Sequence, residues 1–150
     1  PSLSYGKPVV DATPYADVYD QARITDGELS GTSYYESASL PAYLVIDLRN
    51  VYQIRAISLH LPALLSWNTR TQEIALFASA SNDAYNAETT VFTEVFAKTA
   101  LTFDPLEGNM NLLEFNPAFA CRYLKIVIYS NDIAGGYMAQ LSEVNVFGNK

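Results

Sequence analysis

The sequence predicts an all-β fold, a sandwich of two antiparallel sheets. Three observations lead there: apolar residues alternate in short runs, turn residues separate those runs, and no stretch sustains helical periodicity. Composition agrees, with 11 Tyr and 7 Phe beside only 9 Lys plus Arg among 150 residues. Such a balance suits half-buried pleated surfaces better than long solvated helices.

The strand pattern is clearest over residues 43–48, where Leu44, Ile46 and Leu48 share one face, and over 56–61, where Ile57, Leu59 and Leu61 do. Residues 73–78 and 123–128 repeat it, and shorter candidates lie at 91–96, 111–115 and 144–147. At least seven strands are therefore expected. Between them stand Thr25-Asp26-Gly27, Ser39-Leu40-Pro41, Ser81-Asn82-Asp83 and the segments 104–109 and 131–136, all rich in turn residues. With no internal repeat, linker or low-complexity tract, residues 1–150 are read as a single domain.

A net charge of −7 argues against nucleic acid and anionic membrane as partners, since both are held by cationic side chains. No run approaches the roughly 20 apolar residues of a membrane span, and no leader pattern opens the chain, so a mature or excised soluble module is expected. Cys121 is the only cysteine and cannot form an internal disulfide; beside a strand, it is read as a buried, inert thiol.

Catalytic chemistry finds little support. His60, the only histidine, falls in an alternating strand, where an exposed position is expected, and no Gly-x-Ser-x-Gly elbow, phosphate-binding loop, dinucleotide fingerprint or Cys-x-x-Cys pair occurs. The chain is read as a binding protein, not an enzyme. Trp67 is the only tryptophan and stands in a loop with Asn68 and Arg70 just before a strand. A flat aromatic beside fixed polar groups on a rigid loop is what a saccharide's apolar faces and hydroxyls require. The competing readings are a core-lid role for Trp67 and a surface ion pair of Arg70 with Glu73 or Asp132.

The longest segment without strand pattern, residues 11–39, carries Asp17, Asp20, Asp26, Glu28 and Glu36. Clustered carboxylates on a folded-back loop would be relieved by a hard cation. Within this segment, neighbouring Tyr34 and Tyr35 should point to opposite faces, one into the core and one outward.

Taken in order, several motifs resemble the discoidin, or coagulation-factor type C, domain and, within it, carbohydrate-binding module family 32. They are Leu3-Ser4-Tyr5-Gly6-Lys7-Pro8-Val9, Ala22-Arg23-Ile24-Thr25-Asp26-Gly27, Tyr34-Tyr35-Glu36-Ser37, Tyr43-Leu44-Val45-Ile46-Asp47-Leu48, Cys121-Arg122-Tyr123-Leu124-Lys125-Ile126 and Leu141-Ser142-Glu143-Val144-Asn145-Val146-Phe147-Gly148. The segment from Leu64 to Gln72, with Thr102-Phe103-Asp104-Pro105 and Gly108-Asn109, is similar to discoidin modules of bacterial glucan-active enzymes. The resemblance implies a jelly-roll-like, galactose-binding-domain-like sandwich.

It also implies a function: a secreted, extracellular, non-catalytic carbohydrate-binding module that holds a parent glycan-active enzyme on a polysaccharide, a glucan in the first place. Such a module would be monomeric, with no nucleic-acid or membrane partner. The implied ligand-binding residues are Trp67, Arg70, Asn68, Glu36, Asn131 and Tyr137. Glu36 falls near a position where galactose- and fucose-binding members place a histidine. The paired glycines of the 130–138 loop would let a polymer approach closely.

The resemblance further implies a structural calcium. Its ligands would be the carboxylates of Asp26 and Glu143, Ser33 through carbonyl and hydroxyl, and the carbonyls of Arg23, Glu28 and Ser142. The segment between Asp26-Gly27 and the tyrosine pair is longer than usual, so Thr32 is an alternative to Ser33. An all-oxygen set suits calcium and offers zinc nothing. The alternative function is a discoidin-type adhesion domain for protein or lipid head groups, with Leu64-Leu65-Ser66-Trp67 as an apolar spike.

Overall fold

The computed structural model describes residues 1–29 and 31–150. Its strands are β1 (Val9–Ala12), β2 (Tyr35–Glu36), β3 (Ala42–His60), β4 (Arg70–Ser79), β5 (Thr93–Phe103), β6 (Met110–Asn131), β7 (Gln140–Leu141) and β8 (Glu143–Asn149). Every pairing is antiparallel. One sheet runs β1-β3-β6-β4-β5, with β8 joined to it through β3, and a second sheet pairs β2 with β7. The result is an all-β sandwich.

Strand length explains how one sheet supplies both layers. At ~3.3 Å per residue, β3 with its 19 residues would reach about 60 Å, whereas a domain of this size is only roughly 40 Å across. The β3–β6 ribbon must therefore curl. It does so where its register slips, between Asp47 and Tyr52 and again between Ile54 and Ala56, the bulges that bend and twist a ladder. Before the bend β3 is flanked by β1, with Val9 opposite Ile46; after it β8 lies alongside, with Val146 opposite Ile57.

The sequence segments 43–48 and 56–60 are thus two arms of one strand, with Leu61 just past its end, and 111–115 and 123–128 are two arms of β6. Both arms of β3 turn their apolar faces inward. Leu44, Ile46 and Leu48 from the first arm and Ile57 and Leu59 from the second meet Ile74, Leu76, Leu124 and Ile126 in one buried cluster. Burying each such side chain contributes about 1.5–3 kcal/mol, so this cluster holds the end loops on a rigid frame.

Some expectations need correction. The strand expected at 91–96 begins at Thr93 and runs to Phe103, and Val91 is exposed. β1, β2 and β7 were not expected, because strands of four residues or fewer carry too little alternation to be seen. His60 is half-buried rather than exposed, since β8 covers that end of β3 with Glu143 directly opposite. Its Nε2 lies 2.8 Å from Ser58 Oγ, and burial lowers its pKa. Cys121 is fully buried as expected, and burial pushes its thiol up to about 12.

Candidate functional site

The site is built by three loops at one end of the sandwich. The first is the turn between β3 and β4. Leu65–Trp67 forms a single 3-10 turn, closed by Trp67 N–H to Leu64 O at 3.0 Å and Asn68 N–H to Leu65 O at 3.2 Å. Asn68 then takes φ +55°, a region that asparagine tolerates better than most side chains. This reversal sends Arg70 into β4 with its guanidinium lying over the indole of Trp67, 4.6 Å from the ring centroid.

The second loop carries Tyr19 and Tyr34. Their rings stack at 4.5 Å with 17° between planes, and Tyr34 meets Trp67 edge-on at 4.7 Å and 87°. Tyr35 points the other way, into the core, where its hydroxyl donates to Thr13 O at 2.8 Å. The tyrosine pair therefore divides as strand alternation requires. Burial, then the neighbouring Tyr19 hydroxyl, raises the pKa of Tyr34.

The third loop joins β6 to β7 and brings Tyr137, whose ring lies 5.9 Å from the Arg70 guanidinium. A Cβ at Gly135, which has φ +113°, would stand 2.9 Å from the Tyr137 ring. The glycine there makes room for Tyr137, whereas a Cβ at Gly136 would meet open space.

Together these loops enclose an open hollow of about 430 Å³, within the range of small-molecule sites. Tyr19, Tyr34, Trp67 and Tyr137 supply aromatic walls; Arg70, Arg23, Thr32, Ser66 and Gln140 supply polar groups. Trp67 is half-buried: it packs against the core cluster and also lines the hollow.

Arg70 does not make the surface ion pair that competed with the binding reading. It is 5% exposed, its Nη1 donates to Gln140 Oε1 at 2.6 Å, and its Nε donates to Asn68 O at 3.4 Å. Asp132 instead accepts from Thr71 N–H at 2.7 Å, and Glu73 from Ser130 Oγ at 2.9 Å. Burial lowers the pKa of Arg70, against the opposing pull of Tyr137, Glu36, Tyr34 and Asp132.

Of the residues the sequence singled out, Trp67, Arg70 and Tyr137 line the hollow, whereas Asn68, Glu36 and Asn131 do not. Asn68 borders a neighbouring depression with Leu65, Thr69, Asp104, Pro105 and Leu106. Glu36 is buried behind the wall, accepting from Met138 N–H at 3.0 Å and from Gln140 Nε2 at 3.5 Å. Asn131 donates to Met138 O at 2.9 Å and Gln140 Oε1 at 3.1 Å. These two shape the third loop from within.

Gln140 is the group that sequence reasoning missed. It is buried, its backbone N–H donates to Gln72 Oε1, its carbonyl accepts from Gln72 Nε2, both at 2.9 Å, and its side chain holds Arg70. Nothing in its two-residue strand signals this role, because Arg70, Gln72 and Glu36 are distant in sequence.

A second constellation lies around Asp26 and Glu143. Glu143 is 1% exposed, and Gly27 N–H donates to both of its carboxyl oxygens at 3.1 Å. Burial, followed by a hydrogen bond with Asp26, pushes its pKa up to about 8. Ser33 Oγ donates to Asp26 Oδ2 at 2.6 Å, while Thr32 lines the hollow instead. Ser142 Oγ is buried without a hydrogen-bond partner among the described residues. The ion pairs of the described residues are Arg23–Asp20 and Arg122–Asp47, and neither involves Asp26 or Glu143. Two carboxyls in contact, one deeply buried and without a cationic partner among the described residues, fit a hard cation. No group of three His, Cys, Asp or Glu converges there among the described residues, so carbonyl and hydroxyl oxygens would have to complete such a shell.

Neither a protein-family model nor a curated relative matches the sequence. Solved structures do. Chitosan-binding module 1 of a chitosanase/glucanase from Paenibacillus sp. IK-5 is 19% identical with TM-score 0.72, each chain covering 98% of the other. Module 2 of the same enzyme, solved with chitotriose, is 18% identical with TM-score 0.73 over 97% of this chain and 99% of its own. A family 32 module of the Clostridium perfringens protein CpGH89 is 15% identical with TM-score 0.68, at 98% coverage of both. The chain also matches larger proteins, spanning 28% of SpGH29 and 15% of CpGH89. It has the discoidin-like fold of the family 32 carbohydrate-binding modules.

Proposed function

We propose that this chain is a non-catalytic carbohydrate-binding module whose ligand lies in the hollow between Trp67, Tyr34 and Tyr137. The observation that carries this reading is the hollow itself: aromatic rings on several sides and a guanidinium fixed in its wall, on loops anchored to a rigid sandwich. Sugar C–H faces pack on the rings, while Arg70 and Gln140 hydrogen-bond hydroxyls. The neighbouring modules that bind chitosan or chitotriose share this fold and support the reading.

The finer proposal follows the sequence. The module is monomeric and extracellular, and it tethers a parent glycan-active enzyme to a polysaccharide, a glucan in the first place. An open site of this kind binds with Kd about 0.1–1 mM, roughly −4 to −5.5 kcal/mol, and tethering makes such weak binding useful. Calcium, in the same proposal, is held by Asp26, Glu143 and Ser33 with the carbonyls of Arg23, Glu28 and Ser142, and stiffens the loop that carries Tyr34.

Affinity electrophoresis through a panel of polysaccharides tests the reading, with Trp67→Ala and Arg70→Ala beside the parent. Retardation lost in folded variants is expected; equal retardation in both variants removes the site. A second reading, adhesion to protein or lipid head groups, is favoured by one observation: Leu65 and Leu106 are 68% and 79% exposed beside the hollow. Sedimentation with liposomes and no retardation by any glycan would reverse the order.

A further inference from the structure

We propose that the chain carries a second binding site, a hollow at the bend of the β3–β6 ribbon that takes neutral, hydroxyl-rich saccharides. It shares no residue with the hollow at the loop end and goes beyond the reading given for that one. Ala56, at the bend, lies ~13 Å along β3 from His60, after which the chain leaves for the turn that carries Trp67.

Strand pairing builds this hollow. Glu114 on β6, Ala56 on β3 and Phe147 on β8 stand opposite one another, a row across three strands whose side chains share a face. Ile57 and Leu59 belong to the core, so Ala56, one residue from Ile57, faces outward. Next to this row β6 bulges: residues 115–118 fall between the partners of Ala56 and Ile54, against Arg55 alone. The row and the bulge enclose about 460 Å³. Phe115 is held there by Phe119, edge-on at 4.9 Å and 88°, and packs against the core, while Ala56 and Ala118 are too small to fill the space.

Arg55, Glu114 and Asn116 complete the lining. All three are exposed, and none has a side-chain hydrogen bond or ion pair among the described residues. Their chemistry specifies the ligand. A cation would be repelled by Arg55 and an anion by Glu114, so a net charge loses to one what it gains from the other. An apolar ligand would take water from three polar groups without replacing its hydrogen bonds. Hydroxyls serve all three: they donate to the Glu114 carboxylate and accept from the Arg55 guanidinium and the Asn116 amide, while sugar C–H faces pack on Phe115 and Phe147.

Two phenyl rings with exposed polar groups bind weakly, with Kd about 1–10 mM, too weak to retard the chain in a gel. The test is a titration of the isotope-labelled chain with laminarihexaose, maltohexaose and cellotetraose to about 50 mM, followed by amide chemical shifts. Saturable shifts at residues 55–56, 114–118 and 147 are expected with at least one of these oligomers, at the same Kd in Trp67→Ala. Arg55→Gln combined with Glu114→Gln, both at exposed positions, should weaken this binding at least about tenfold. Ala56→Leu, which fills the hollow and keeps its polar groups, should abolish it. Undiminished binding in either variant overturns the inference. So do shifts at the bend with glucosamine or glucuronate oligomers and none with a neutral one. Shifts confined to the surroundings of Tyr34, Trp67 and Tyr137 also overturn it and leave the loop-end reading standing, whereas shifts at the bend alone support it and count against the loop end.

Discussion

Gln140→Ala is the substitution that most sharply tests how the hollow is held. In the folded chain the Gln140 amide oxygen accepts from Arg70 Nη1 at 2.6 Å and from Asn131 Nδ2 at 3.1 Å. Truncation removes a bond to a charged group, worth about 1.5–3 kcal/mol, and a neutral one worth ~1 kcal/mol, besides the bond from Gln140 Nε2 to Glu36 Oε1, which at 3.5 Å is too long to add much. It also leaves Arg70 buried, so water cannot fully replace what is lost. The backbone bonds between residues 140 and 72 survive, because Gln72 supplies both partner atoms. The expected cost is about 2.5–4 kcal/mol, read from urea unfolding followed by circular dichroism. A double-mutant cycle with Arg70→Met isolates the pair, and its coupling energy should be about 1.5–3 kcal/mol. A coupling below about 0.5 kcal/mol would refute the reasoning, because additive effects mean that Gln140 does not hold Arg70.

Other expectations follow from the same contacts. Trp67→Ala removes the surface under Arg70 and the edge contact with Tyr34; it should abolish glycan retardation and lower stability by about 2–4 kcal/mol, with the far-ultraviolet spectrum retained. Trp67→Phe should keep part of both. Calcium at about a thousand times its Kd should stabilise the fold by ~4 kcal/mol, raising Tm by roughly 8–16 °C over the chelated protein. Asp26→Asn and Glu143→Gln should lose that response, and an unchanged Tm in the parent would dismiss the cation. Cys121, buried and with its thiol pushed up to about 12, should be silent to thiol reagents near pH 8 in the folded chain and react fully in denaturant. Reaction at a free-thiol rate without denaturant would contradict its placement.

The fold was largely legible because its core depends on period-2 alternation, and residues such as Leu44, Ile46 and Leu48 display it locally. What alternation could not reveal was continuity. Residues 43–48 and 56–61 look like two strands, yet they join across a bulge because the sheet must curl within the available diameter. Burial at strand ends was illegible for a related reason: His60 is covered by β8, which is far along the chain and opposes it only once the sheet has closed.

The hollow divides along the same line. Trp67 and Arg70 are readable because they share one turn, and a lone indole beside a guanidinium in a loop is itself a signal. The inner wall is different in kind. Gln72, Gln140, Glu36 and Asn131 come from separate strands, and their hydrogen bonds span sequence separations that no local pattern records. Glu36 and Asn131 look like loop-borne ligand groups in sequence, but the curled sheet turns them inward, where they hold Gln140 and Met138. Orientation at such a site is therefore set by buried amides. Substitutions behind the wall should change how firmly Arg70 is held without removing any group that faces the hollow directly.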